Sequence, residues 1–224
     1  MRLYALACSC SVYRFLRKYD IAYDKFLDKT KPYLDMHNSE HRKALLKWLR
    51  EWGCRQFKNT FDKEASNNLE SWYTKNESLL PSPSMSLLEI SDIELKHIVD
   101  AYNTLREEKA SDTKTVGPTG ASKILFAFRE EICPPWDGAM RKKWGYSGNA
   151  ESYNKFLEDT KNTLVQLKGE CSRHGFTLNE LPGRLGRQQS SLIKLLDEYN
   201  FVVITNAFRI PHIETIQEWY YWAQ

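Results

Sequence analysis

The stretch Val116-Gly117-Pro118-Thr119-Gly120-Ala121-Ser122-Lys123-Ile124-Leu125, followed by Cys133-Pro134-Pro135-Trp136-Asp137, constrains this chain more than any other. Gly117 and Gly120 permit a tight backbone turn that residues bearing a Cβ resist. The apolar run from Ala121 to Ile132 has helical spacing and carries Lys123 on its first turn. Two prolines then break the chain and set Asp137 directly after Trp136, at the head of a further helix to Trp144.

This order has a chemical reading. A helix that begins straight after a glycine turn presents unpaired N–H groups, which bind an anion such as a DNA phosphate. Lys123 near that end serves a second phosphate or, with a depressed pKa, attacks an electrophilic sugar carbon. Asp137 can stabilise the positive charge that develops on a sugar as its glycosidic bond breaks, and can activate a water. Trp136 offers a flat face to an extruded base. Each residue also has a plainer use: Asp137 as a helix cap, Lys123 as a surface cation and Trp136 as core.

From Val116 to Trp144 the chain resembles the helix-hairpin-helix DNA glycosylases, with Gly120, Lys123, Pro135-Trp136-Asp137 and Arg141 in the family's order. The resemblance implies an all-α fold of two helical lobes around a cleft, and hydrolysis of a base–sugar bond in double-stranded DNA. Asp137 would be the catalytic carboxylate, and Lys123 would contact phosphate or perform a lyase step. Gly117, Thr119, Gly120 and Ser122 at the hairpin, with Arg141 and Lys142 beyond it, would hold DNA. Trp136 and Trp144 would form the base pocket, and no cofactor or metal is required.

Some features depart from the family. Thr119 stands before the last hairpin glycine, Lys123 falls one residue later than the family's lysine, and the lysine-to-aspartate interval is short. A downstream four-cysteine cluster is missing, which excludes the iron–sulfur version. So divergent a hairpin suggests an unusual target: an oxidised base, or a hypermodified pyrimidine of phage DNA, which would make the protein an antiviral defence enzyme. The alternative is a non-catalytic helix-hairpin-helix module that binds DNA.

Elsewhere the chain reads as helical. Helices are expected from Tyr13 to near Pro32, from Ser39 to Trp52 with Gly53 as the stop, and from Ser91, whose spacing to Glu94 is that of a capping box. Asn149 is placed to cap a long helix to Cys171, and Leu192 to Tyr199 makes a short one. Between Asn59 and Ser78 the pattern weakens, and Leu79 to Ser84 is the clearest loop. Phe201-Val202-Val203-Ile204-Thr205 is strand-like or a buried helix end, and the aromatic tail from Ile213 to Trp222 is expected as a helix packed into the core. The expected organisation is one helical domain over 1–224, with 91–171 as the hairpin-bearing core and 1–90 and 172–224 as flanking helices.

Charge and cysteine usage narrow the function classes. A net charge of +3 means that any basic surface must be local. Arg184 and Arg187, set among glycines, form a second candidate phosphate site, and Arg141-Lys142-Lys143 a third. Five cysteines with no CxxC pair indicate neither a zinc ribbon nor a disulfide framework, so reduced thiols in a cytoplasmic protein are expected. No apolar run reaches membrane-spanning length, and no obligate protein partner is evident. His37-Asn38-Ser39-Glu40-His41 matches an H-x-x-E-H zinc pattern, but Asn38 and Ser39 read as a cap that leaves His37 outside the helix.

Overall fold

The computed structural model describes residues 1–16 and 18–223, and they are all-helical. The expected first helix is two: α1 (Leu3–Phe15) and α2 (Lys18–Thr30). Then come α3 (Ser39–Glu51), α4 (Asp62–Asn76), α5 (Asp92–Leu105), α6 (Gly117–Phe128) and α7 (Gly138–Trp144). They are followed by α8 (Ala150–Arg173), α9 (Leu181–Arg184), α10 (Leu192–Asn200) and α11 (Ile213–Trp222). No helix among the described residues is long and apolar enough to cross a membrane.

Local signals account for most helix ends. Asn38 caps α3, and Gly53 takes a left-handed φ of 84° just beyond its end. Ser91 and Glu94 satisfy each other's backbone N–H in a complete capping box at α5. The Asn149 side chain accepts from Ser152 N at the head of α8. His37 lies outside α3, as the cap requires, and His41 Nδ1 instead accepts from Asp35 N.

Three further stretches differ from the sequence reading. The polar stretch after Asn59 contains α4, which buries only the narrow row Ala65, Leu69 and Trp72, a stripe too thin to stand out among its polar neighbours. The strand-like Phe201–Thr205 is a π-helical turn continuing α10, with Asn206 N donating to Phe201 O. β-branched residues fit it because Val202 is buried while its neighbours are half exposed. The tail helix α11 buries nothing: Trp222 is 90% exposed, and Trp219, Tyr220 and Tyr221 are exposed with it.

One contiguous apolar core joins the helices from α1 to α10, and α6 runs through it against α3 and α5. On one side of α6, Phe126 meets an aromatic cluster of Tyr23, Phe26, Trp48 and Trp52 from α2 and α3. On the other side, Trp136 packs with Tyr102, Tyr153 and Phe156 from α5 and α8. Helix α10 packs against α1, and its π-helical extension against α7. The N- and C-terminal parts of the chain thereby close over the segment that carries Asp137.

Candidate active site

Asp137 has extended backbone and caps α7, its Oδ1 accepting from Met140 N at 2.8 Å. Its second oxygen accepts from Thr205 Oγ1 at 2.6 Å. The cap fixes the carboxylate relative to α7, and the π-helical turn delivers the hydroxyl that fixes its other edge. Turns of this kind recur at functional sites because they re-aim side chains within a helix.

The half-buried carboxylate lines a cavity of about 560 Å³ enclosed by α1, α2, α3, α6, α7 and α10. That volume lies in the range of about 300–1,000 Å³ usual for ligand pockets. Tyr19, Trp52 and Phe201 give it aromatic walls, while Lys18, Arg50 and Arg55 bring positive charge to it. Arg50 is paired with Asp62 at 2.5 Å, whereas Lys18 and Arg55 are exposed.

Lys123 lines the same cavity, but from the seventh residue of α6 rather than its first turn. Helix α6 begins at Gly117, whose φ of 66° makes the turn. Gly120 lies inside the helix. A Cβ there would come within 2.7 Å of Gln56 Nε2 and 2.9 Å of Val116 Cγ1, so the glycine serves close packing and not the turn. The Lys123 ammonium donates to Trp52 O at 2.5 Å and sits 5.5 Å from the centre of the Trp52 ring.

Several expected DNA and base contacts are spent on structure. Ser122 is fully buried and accepts from Trp136 N at 3.1 Å, tying α6 to the proline corner. Trp136 is 1% exposed, stacked on Phe156 with Arg141 over its ring and Nε1 donating to Pro118 O, so no face is free for a base. Trp144 packs on Tyr146 and Phe156 beside a different cavity. Arg141 donates to Thr119 Oγ1 at 2.8 Å and lies over Trp136, its pKa lowered by burial; it braces α7 against α6.

Arg187 is held by Asp20 through two 3.0 Å bonds and by Glu198, inside the protein. Arg184 lies over Phe176, near a separate cavity. Lys142 is exposed on α7. The two arginines therefore do not flank the hairpin, and of the expected cations Lys123 alone lines the cavity with Asp137.

The structure adds a carboxyl group that the sequence reading does not contain. Asp197, on α10, is 8% exposed and lines the cavity with Asp137 and Lys123. Burial pushes its pKa up to about 7; Lys194 and Lys123 oppose the rise, while Glu198 and Asp137 add to it. Beside it, fully buried Lys194 binds Glu198 at 2.9 Å and lies 4.1 Å from the Tyr13 ring centre. With part-buried Arg187 and Asp20 these form a network of two cations and two anions, which leaves Asp197 as the surplus acid. In sequence, Lys194 and Glu198 look like an ordinary solvated i, i+4 pair, which points away from a buried site.

Comparison of the chain with protein-family models, curated proteins and solved structures finds no match.

Proposed function

We propose that the protein is a DNA N-glycosylase of helix-hairpin-helix type, with the cavity between its helices as the cleft. The observation that carries this reading is the meeting of Asp137 and Lys123 in one cavity, from either side of the proline corner. A carboxylate fixed at both oxygens suits stabilisation of a sugar cation and orientation of water, since it need not reorganise as charge develops. Lys123 lies in reach of the same ligand, as a phosphate contact or as the amine of a lyase step. Tyr19, Trp52 and Phe201 take over the role expected of Trp136, as the walls of a base pocket.

The substrate is double-stranded DNA with a modified base flipped into the cavity. Its volume and charged lining suit a base with a bulky polar substituent, such as a hypermodified phage pyrimidine, better than a small planar lesion. The protein would then act in antiviral defence within the cytoplasm. Exposed Lys18, Arg55 and Lys142 are the cations available to DNA phosphates.

The test is abasic-site formation on duplexes containing uracil, oxidised purines, alkylated bases, hydroxymethylcytosine and glucosylated hydroxymethylcytosine, with and without alkali. Strand breaks only after alkali, lost in Asp137→Asn, are the expected result. Breaks without alkali, trapped by borohydride and lost in Lys123→Ala, assign the lyase step. Tight DNA binding without abasic sites on any duplex would replace the enzyme by a binding module.

A further inference from the structure

We propose that Asp197 is a second catalytic carboxyl group, which in its neutral form protonates the departing base while Asp137 acts as the carboxylate. The proposal rests on the glycosylase reading of the cavity and assigns a role that the hairpin motif does not contain. Three observations carry it.

First, Asp197 lines the same cavity as Asp137 and reaches it from a different element, α10. Second, the two carboxyls are held in opposite ways. Asp137 accepts from a backbone N–H and a hydroxyl, which fix both of its oxygens. The Asp197 carboxyl accepts no hydrogen bond from any described residue, and the 8% of the residue that stays accessible faces the cavity it lines. Burial without a donor favours its protonated form. Third, the neighbouring cations are committed elsewhere: Lys194 to Glu198, Arg187 to Asp20 and Glu198, and Lys123 to Trp52 O.

Charged and titratable groups surround Asp197 on several elements. Lys194 and Glu198 lie on its own helix with Arg187 paired to Glu198, Tyr13 and Cys10 face the region from α1, and Tyr23 and Asp20 face it from α2. Lys123 and Asp137 approach through the cavity, which Lys18, Arg50, Glu51 and Arg55 also line. The π-helical turn from Phe201 to Thr205 has no titratable side chain, and Arg184 of α9 is turned to Phe176 and Glu180. Burial outweighs the cations in this set, leaving the carboxyl half protonated near pH 7. A carboxyl that burial keeps partly protonated, sharing a cavity with a second carboxyl, suits the role of general acid.

The step balances with these two groups and water. The water oxygen bonds to the sugar C1′ as the C1′–N bond breaks. The electron pair of that bond passes to the base, which takes the Asp197 proton. Asp137 takes the proton released by the water, and exchange with solvent restores both groups.

Single-turnover abasic-site formation against pH, on the same set of duplexes, tests the proposal in wild type, Asp197→Asn and Asp137→Asn. Wild-type rates should fall tenfold per unit as pH rises beyond about 7, because the acid form is lost. Asp197→Asn should be slower by about 10²–10⁴-fold, without that alkaline limb. Its loss should shrink on bases that leave readily without a proton, whereas a purely structural role would slow every substrate alike. Wild-type rates that stay flat from pH 6 to 9 would overturn the proposal without any variant. So would an Asp197→Asn enzyme with unchanged rate and profile; in both cases the glycosylase reading stands. A wild-type chain that makes no abasic sites removes that reading and this role together.

Discussion

The two segments that meet at Asp137 are built by different physics. The α6–α7 segment is assembled from neighbours in sequence: Gly117 turns the chain, Ser122 ties α6 to Trp136, and Asp137 caps α7. The segment from Arg187 to Thr205 is assembled from remote partners. Asp20 holds Arg187, Tyr13 lies against Lys194, and Asp137 receives Thr205. The contrast separates a segment whose chemistry arises from local spacing from one whose chemistry exists only after folding.

The harshest test of that contrast removes a charge from the remote network. Lys194→Met would leave Glu198 and Asp20 with Arg187 alone, and one Glu198 oxygen already lacks a partner among the described residues. Breaking a buried ion set from one side costs about 3–5 kcal/mol. Guanidinium unfolding should show a lower midpoint with unchanged slope. Lys194→Met combined with Glu198→Gln should recover part of the loss. A near-neutral single variant would mean that the network does not hold α10 in place.

A second test uses pH. An unfolded aspartate titrates near 3.8, whereas folded Asp197 titrates near 7. The folded state therefore binds its proton more tightly, and the stability this contributes is full below pH 3.8. It is lost as pH rises through 7, by an amount on the order of 4 kcal/mol. Glu131 and Asp24, also raised mainly by burial, contribute with the same sign. The difference between wild type and Asp197→Asn isolates one group: the variant should gain relative stability between pH 4 and 8. A constant difference across that range would show that Asp197 is ionised throughout.

Legibility in the sequence divides along the same line. Caps at Asn38, Ser91, Asn149 and Asp137 are readable because each acts within three residues, as are the helices they start. Helix α4 is not, because three residues in one row are enough to bury it. Trp136 and Arg187 read as ligand contacts because their residue types suit stacking and phosphates. Packing on Phe156 and pairing with Asp20 decide otherwise. Asp197 and Thr205 give no signal: one sits in a charged-looking helix, the other in an apolar run that imitates a strand.

Thr205 is where the two segments touch, so it measures their coupling. Thr205→Val keeps shape and deletes the hydroxyl bonded to Asp137. A hydrogen bond to a charged group contributes about 1.5–3 kcal/mol. Abasic-site formation should fall by about tenfold or more, because the carboxylate loses one of its two anchors. In an Asp137→Ala background, which lacks the acceptor, the same change should have little further effect on unfolding free energy, since residues in direct contact are not additive. Additive losses would show that the hydroxyl acts other than through Asp137.

The smallest expected change in stability comes from the residue with the greatest expected effect on activity. As a cap, Asp137 needs only an oxygen to accept from Met140 N, and asparagine supplies one. Asp137→Asn keeps the cap and exchanges the bond from Thr205 for a neutral one, so it should shift the unfolding free energy by about 1 kcal/mol, while abolishing product formation. Thr205 can still donate to the amide oxygen or accept from its nitrogen, so the packing around α7 is retained. Asp137→Ala, which removes the acceptor altogether, should cost about 1 kcal/mol through the cap alone, and more through Thr205. Separation of the two readouts in the asparagine variant would mean that capping places the carboxylate and its charge serves catalysis. A joint loss of stability and activity would show that α7 depends on the charge, and that the aspartate is there to hold the fold.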